Sequence, residues 1–161
     1  DLFYQKQPKE AFPVCDFGYI DTANKTEVRG EGGKTGIFYL ALGDAGLYKL
    51  CYDTKTEEIH VKRLTDTGDA CYRMGLGVIG EDRDYLTEEK AIYFCGRLEG
   101  EYGFYRTFDE GKSYERLNQD NQMYGEINSI DGDKRKFGRF FLATGSRGVL
   151  YGEMKRQSRK I

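Results

Sequence analysis

The sequence predicts an all-β fold, a partial β-propeller of about three blades. Three observations carry that expectation. Glycine is abundant and proline scarce, 21 and 2 of 161 residues, beside 13 tyrosines and 10 phenylalanines. That balance suits short strands joined by tight turns. No stretch sustains the i, i+3, i+4, i+7 apolar spacing of an amphipathic helix. Three segments also repeat one pattern: Tyr39-Leu-Ala-Leu-Gly43-Asp-Ala-Gly46-Leu-Tyr48, Tyr93-Phe-Cys-Gly96 running on to Tyr102-Gly103-Phe-Tyr105, and Phe141-Leu-Ala-Thr-Gly145-Ser-Arg-Gly148-Val-Leu-Tyr151. Each is an apolar strand, a glycine-bearing turn and a second strand ending in Tyr. With Ala41, Cys95 and Ala143 equivalent, the period is about 50 residues, the signature of propeller blades.

Taken in order, Ile37–Leu42, Leu47–Cys51 and Glu58–Leu64 are the expected strands of the first clear unit. In the second, Arg73–Ile79 is the inner strand, Ala91–Cys95 the next, Gly103–Thr107 the third and Tyr114–Leu117 the short outer one. The third has Glu126–Ile130, Arg139–Thr144 and Val149–Gly152, and no outer strand of its own. The blades thus divide the chain at 1–64, 65–118 and 119–153, with a basic tail over 154–161. In a closed propeller a missing outer strand is often supplied from the far end of the chain. Three blades cannot close a ring, and an unclosed ring leaves faces and edges open to association. The remaining propeller blades, or a partner chain, are expected to complete it.

Lys and Arg number 25, Asp and Glu 27, for a net charge of −2. Nothing in that balance calls for nucleic acid or an anionic membrane as partner, and no apolar run approaches the ~18 residues of a membrane-spanning helix. The opening Asp1-Leu2-Phe3-Tyr4 has neither a starting Met nor a basic n-region, so no signal peptide is read and the true N-terminus is expected to have been removed. Cys15, Cys51, Cys71 and Cys95 are widely spaced. They read as buried small hydrophobes, or as one or two disulfides of a secreted protein. No metal site or cofactor is read; His60, the single histidine, is expected on the surface. Lys134-Arg135-Lys136 reads as a solvated turn, and Lys155-Arg156 with Arg159-Lys160 as a frayed tail.

The most specific motif is Thr107-Phe-Asp109-Glu-Gly111-Lys-Ser113-Tyr114, which fits the Asp-box (BNR-like) pattern of Ser/Thr-x-Asp-x-Gly-x-Thr-aromatic. It reads as a turn staple remote from any active site. The Asp109 carboxylate accepts hydrogen bonds from turn N–H groups, Gly111 supplies a positive φ, and Tyr114 tucks between neighbouring sheets. A decayed copy, lacking the glycine, stands at Asp53-Thr-Lys-Thr56.

The run after this motif is more telling. Arg116-Leu-Asn118-Gln-Asp120, Tyr124-Gly125, Gly132-Asp133, Gly138-Arg139, Arg147-Gly148 and Tyr151-Gly152 follow one another in order. This closely resembles the end of the catalytic module of glycoside hydrolase family 74, the xyloglucan-active endo-β-1,4-glucanases and their oligoxyloglucan-releasing relatives. Gly46-Leu-Tyr48 and Gly75-Leu-Gly77 fall in the same register. The resemblance covers residues 27–153 and is closest after Ile92. Tyr114 stands where the family usually has Trp or Phe, and Lys134 replaces a proline.

The resemblance implies C-terminal blades of an extracellular hydrolase acting on xyloglucan or a related β-glucan. Glycoside hydrolysis needs two carboxyl groups, ~6.5–9.5 Å apart for inversion. The family resembles the inverting plan, and its two aspartates fall upstream of this chain. Asp16, Asp21, Asp66, Asp69, Asp131 and Asp133 match none of the family's catalytic motifs, so no catalytic residue is assigned. Cys15-Asp16-Phe-Gly18 bears a faint likeness to one of them and reads as a loop. A part in sugar binding is the stronger expectation, because sugar rings stack on aromatic faces and hydroxyls take planar amides. The loops Thr65–Tyr72 and Gln119–Gly125 lead into inner strands, so Asn121, Gln122 and Tyr124 are candidate substrate-binding residues, with Tyr72 and Tyr102 behind them. Tyr124 has an alternative role, packing on a neighbouring blade, and Arg147 is expected to brace the Gly145–Gly148 turn. The competing function is a non-catalytic Asp-box propeller that binds a protein or glycan partner, as sortilin-type receptors do. The absence of Trp leans that way.

Overall fold

In the computed structural model the described residues are 26–27, 35–53, 55–83 and 89–154. They form three antiparallel sheets, with no helix among them. The first sheet sets β1 (Thr26–Glu27), β2 (Thr35–Ala41), β3 (Leu47–Asp53) and β4 (Glu58–Arg63) side by side. The second does the same with β5 (Ala70–Gly77), β6 (Ala91–Leu98), β7 (Glu101–Thr107) and β8 (Glu115–Arg116). The third has only β9 (Ile127–Gly132), β10 (Phe140–Thr144) and β11 (Val149–Gly152). The repeat read from the sequence is thus a repeat of up-and-down sheets.

Alternation along the strands builds the contacts between sheets, because successive side chains leave a strand on opposite faces. Along β3, Leu47 and Cys51 face the second sheet, while Tyr48 and Leu50 join a cluster on the other face with Leu40 and Leu42. Ile37, Tyr39, Met74, Leu76, Ile92 and Phe94 fill the space between the first two sheets. Tyr93, Cys95, Phe104, Ile127, Ile130 and Leu142 fill the space between the second and third. Rings stack within these layers: Phe94 lies 5.5 Å from Tyr105, and Tyr93 lies 5.7 Å from Phe140.

The inner strands β5 and β9 approach backbone to backbone, and glycines make the room. A Cβ on Gly75 would stand 2.4 Å from the Ile130 carbonyl oxygen, and one on Gly77 would stand 3.0 Å from the Gly132 Cα. Leu76 N–H donates to Asp131 Oδ1 at 3.1 Å and Val78 N–H to the Asp133 carbonyl at 3.0 Å. These matches advance in step, so the two inner strands run in the same direction.

Some details depart from the sequence reading. The first sheet has an inner strand, β1, that the sequence did not disclose. Strand β5 begins at Ala70 rather than Arg73, because a bulge falls between Cys71 and Arg73. Lys134 is half-buried rather than fully solvated. Its ammonium donates to Asp131 Oδ1 and to the carbonyls of Leu76 and Gly132, supplying donors that these inner-strand oxygens need. Lys136 pairs with Glu153 at 2.8 Å. The Gly145–Gly148 turn is held by Arg147 N–H donating to Thr144 Oγ1 at 2.8 Å, with the Arg147 side chain exposed. Cys51, Cys71 and Cys95 are free thiols, the last two buried. Cys15, Asp16, Asp21, Thr54 of the decayed copy and residues 155–161 of the basic tail lie outside the described residues.

Candidate functional site

Two bulges shape the end at which the inner strands begin. On β5, Cys71 pairs with Gly96 and Arg73 with Cys95, which leaves Tyr72 as the extra residue. On β9, Ala143 faces Ser129 while Thr144 faces Ile127, which leaves Asn128 as the extra one. A bulge re-aims the side chain it frees. Tyr72 turns out to meet the β2–β3 turn, where its hydroxyl donates to Asp44 Oδ1 at 3.0 Å. Arg97, from the end of β6, stands 3.5 Å from the same carboxylate. The Asn128 carbonyl accepts from Arg73 Nε at 3.3 Å, which ties one bulged strand to the next.

From Tyr72 a row of aromatic rings crosses the second sheet. Tyr72 to Tyr102 is 6.4 Å between centroids, Tyr102 to Phe104 6.4 Å edge-on, and Phe104 to Tyr124 6.4 Å with the planes only 10° apart. Tyr102 is 37% exposed, Phe104 is buried, and Tyr72 and Tyr124 are half-buried. Tyr124 therefore does pack on the neighbouring sheet. It is set there by a loop that Asn118 staples: Asn118 Oδ1 accepts from Phe104 N–H at 2.8 Å, and Nδ2 donates to the Gln119 carbonyl at 3.2 Å. Gln122 Oε1 closes the loop by accepting from Gln119 N–H at 3.0 Å, whereas Asn121 is exposed. The loop then turns sharply, with φ of +56° at Tyr124 and +76° at Gly125. The row thus includes three of the five sequence-predicted binding residues. Asn121 and Gln122 sit on the loop that ends at Tyr124. Burial pushes the Tyr102 phenol up to about 12, and burial together with the Asp44 hydrogen bond raises that of Tyr72. Both stay neutral near pH 7 and keep their donor hydrogens.

Asp44, Arg97, Arg73 and Asn128 complete this end and were not singled out in the sequence. Their signal is the bulge and the β2–β3 turn, and a one-residue bulge leaves only a single break in alternation.

Three of the aspartates that the sequence leaves without a catalytic role, Asp69, Asp131 and Asp133, accept hydrogen bonds from nearby donors. Asp69 accepts from Asp66 N–H at 3.1 Å and Glu99 N–H at 2.8 Å. Asp131 takes Leu76 N–H and Lys134, and Asp133 takes the N–H groups of Arg135 and Lys136 at 2.8 and 3.1 Å. At the far end of β7, Asp109 Oδ1 accepts from Ser113 N–H at 2.9 Å and from Thr107 Oγ1 at 2.8 Å, and Oδ2 accepts from Ser113 Oγ at 2.6 Å. Those bonds, the Ser113 hydroxyl first, hold the Asp109 carboxyl down at about 2. Gly111 has φ +83°, and a Cβ there would meet the Leu64 carbonyl at 2.7 Å. Tyr114 enters the space between the first two sheets and donates to that carbonyl at 2.7 Å. What the aromatic end offers chemically is ring stacking, phenol donors and an Asp–Arg pair.

No family model matches the chain. It is 32% identical over 128 residues to a xyloglucanase of Acetivibrio thermocellus, a match covering 79% of this chain and 14% of that protein. It is 31% identical over 127 residues to an oligoxyloglucan-reducing end-specific xyloglucanase of Emericella nidulans, covering 76% of this chain and 15% of that one. Among solved structures it is similar to the GH74 xyloglucanase from Xanthomonas campestris, with a TM-score of 0.58 and 28% identity over 74% of this chain and 15% of the other. The chain therefore spans about one seventh of the length of these relatives.

Proposed function

Because this chain belongs to glycoside hydrolase family 74, we propose that it forms C-terminal blades of a β-1,4-glucan- or xyloglucan-active hydrolase and contributes to the face that holds the polysaccharide. The observation that carries this reading is the aromatic row from Tyr72 to Tyr124, lying at the end where the inner strands begin and flanked by the Asp44–Arg97 pair and the exposed amide of Asn121. Tyr72 and Tyr102 offer ring faces for stacking, and Asn121 and Gln122 offer amides to hydroxyls. The catalytic aspartates belong to polypeptide outside this chain, so the chain alone binds and does not hydrolyse. Further blades complete the ring, and the working location is extracellular. The Thr107–Tyr114 turn is the Asp-box staple of the second blade, with no contact to substrate.

Affinity electrophoresis through gels containing xyloglucan, with starch as control, tests this. Retardation by xyloglucan alone is expected, without release of reducing ends. Tyr102→Ala should weaken it about tenfold, equivalent to about 1.4 kcal/mol of lost stacking, with an unchanged circular dichroism spectrum showing that the variant is folded. A folded chain that no glucan retards would overturn the reading in favour of a propeller that binds a protein.

A further inference from the structure

The geometry points to Asp44 and Arg97 as a recognition pair for two neighbouring hydroxyls of one sugar ring, held beside the ring faces of Tyr72 and Tyr102. This rests on the reading of the aromatic end as part of a polysaccharide-holding face. It adds to ring stacking, which is blind to substituents, a contact that tells one ring from another.

Backbone places the pair. The β2–β3 turn that carries Asp44 closes on itself, with Leu42 N–H donating to the Gly46 carbonyl at 2.9 Å and Gly46 N–H to that of Gly43 at 3.0 Å. Its two glycines have φ of +56° and +94°, and a Cβ on Gly46 would stand 2.2 Å from Thr65 Oγ1. The turn is then bolted to the second sheet. Gly43 N–H donates to the Cys71 carbonyl and Cys71 N–H to the Gly43 carbonyl, both at 2.8 Å. Cys71 precedes the bulged Tyr72, so the Asp44 carboxylate and the Tyr72 phenol are fixed relative to each other across two sheets. Arg97 comes from the sheet of Tyr72 and stands across from Tyr102 on β7.

Hydrogen-bonding capacity remains open at this corner. Asp44 Oδ1 accepts from the Tyr72 hydroxyl at 3.0 Å and lies 3.5 Å from Arg97 Nη2. Among the described residues Asp44 Oδ2 has no hydrogen-bond partner, and the Arg97 guanidinium donates no hydrogen bond. Tyr72 gives its proton to Asp44, which leaves the phenol oxygen as an acceptor. The Asp44 and Arg97 side chains are 77% and 43% exposed, and an ion pair in that much solvent contributes little to stability. Asp69, Asp131 and Asp133, by contrast, have their oxygens taken by donors of the protein itself.

The ligand class follows from those groups. A sugar hydroxyl both donates and accepts, and two on neighbouring carbons present both functions side by side. The open carboxylate oxygen takes a hydroxyl proton, and the planar guanidinium fork gives to hydroxyl oxygens. A ligand bearing a carboxylate or phosphate would meet the Asp44 charge, so a neutral sugar with an unsubstituted diol is what the corner fits. Such a diol occurs on the glucosyl rings of a β-glucan backbone and on the xylosyl branches of xyloglucan.

NMR titration of the whole ¹⁵N-labelled chain with a xyloglucan oligosaccharide, and separately with an unbranched cello-oligosaccharide, tests the pair. The Arg97 side-chain Nε–H signal should shift on binding. That of Arg135, exposed in the β9–β10 turn at the other end of the sheets, should not. Asp44→Asn and Arg97→Gln should each weaken binding about tenfold. Arg97→Lys should weaken it as much as Arg97→Gln, because lysine keeps the charge and loses the fork. Circular dichroism of all three should match the parent. A response to both oligosaccharides assigns the diol to a backbone ring, and a response to the branched one alone assigns it to a xylosyl branch. An Arg97 signal that stays in place while the oligosaccharide binds, or variants that bind as tightly as the parent, overturns the inference and leaves the proposed function standing. Full binding by Arg97→Lys also overturns it, since charge alone would then suffice. A folded parent chain that binds neither oligosaccharide overturns the proposed function itself, and this inference with it.

Discussion

Asp109 spends both carboxylate oxygens on its own turn, and the charge matters because a carboxylate accepts more and stronger bonds than a neutral group. Its folded pKa of about 2 lies below the ordinary value of about 3.9. A depressed carboxyl stabilises the fold above the unfolded pKa, and that contribution is lost as pH falls through the folded one. The window is therefore between about pH 4 and pH 2. Asp109→Asn keeps the shape but cannot accept from Ser113 N–H, Ser113 Oγ and Thr107 Oγ1 together. It should cost about 1 kcal/mol at pH 7, read from urea midpoints, and its midpoints should fall less steeply than wild type from pH 4 to 2. Parallel pH profiles for the two proteins would show that the turn does not depend on the charge.

At the scale of the strand, the bulge at Tyr72 is the device that turns a repeated sheet into a shaped end. It requires Gly96 opposite, because a Cβ there would stand 2.0 Å from the Ala70 carbonyl oxygen and 3.1 Å from the Cys71 Cα. Gly96→Ala must push β5 off β6 at the residue that positions Tyr72, and should cost about 1–3 kcal/mol while weakening xyloglucan retardation. Gly145→Ala, whose Cβ would stand 3.4 Å from the nearest atom, should stay within about 0.5 kcal/mol. Equal midpoints for the two variants would contradict the crowding argument. The same contrast explains what was legible in the sequence. Strands β2 to β4, β6, β7, β10 and β11 announce themselves through alternation and glycine turns, and the Thr107–Tyr114 turn through Thr107, Asp109 and Ser113, whose bonds to one another are local. Each bulge is a single break in alternation, and the two-residue β1 is too short to show a period. Phe104 under Tyr124 and Asp44 beside Tyr72 join residues far apart in the chain, which a linear pattern does not pair. The Lys134 bonds were missed for the same reason, since Leu76 lies on another sheet.

At the scale of the molecule the two outer sheets are unlike. The first buries both faces, with Leu40, Tyr48 and Leu50 on one and Tyr39 and Leu47 on the other. The third buries Leu142 and Leu150 against the second sheet and turns Phe141, Val149 and Tyr151 outward, the last two 69% exposed. Phe141 stands across from Tyr151, and Ala143 across from Val149, so the exposed side chains form one contiguous apolar face bordered by a strand edge that is unpaired among the described residues. Such a surface drives association in a protein studied alone. The chain should therefore sediment as a monomer when dilute and form dimers or larger species as concentration rises. Burying a large apolar side chain is worth about 1.5–3 kcal/mol, so Val149→Lys together with Tyr151→Lys should weaken self-association at least about tenfold. Circular dichroism and melting temperature should stay near wild type, because both side chains are already in solvent. A double variant that associates as strongly as the parent would place the contact elsewhere, whereas a monomeric and equally stable variant would place self-association on this face.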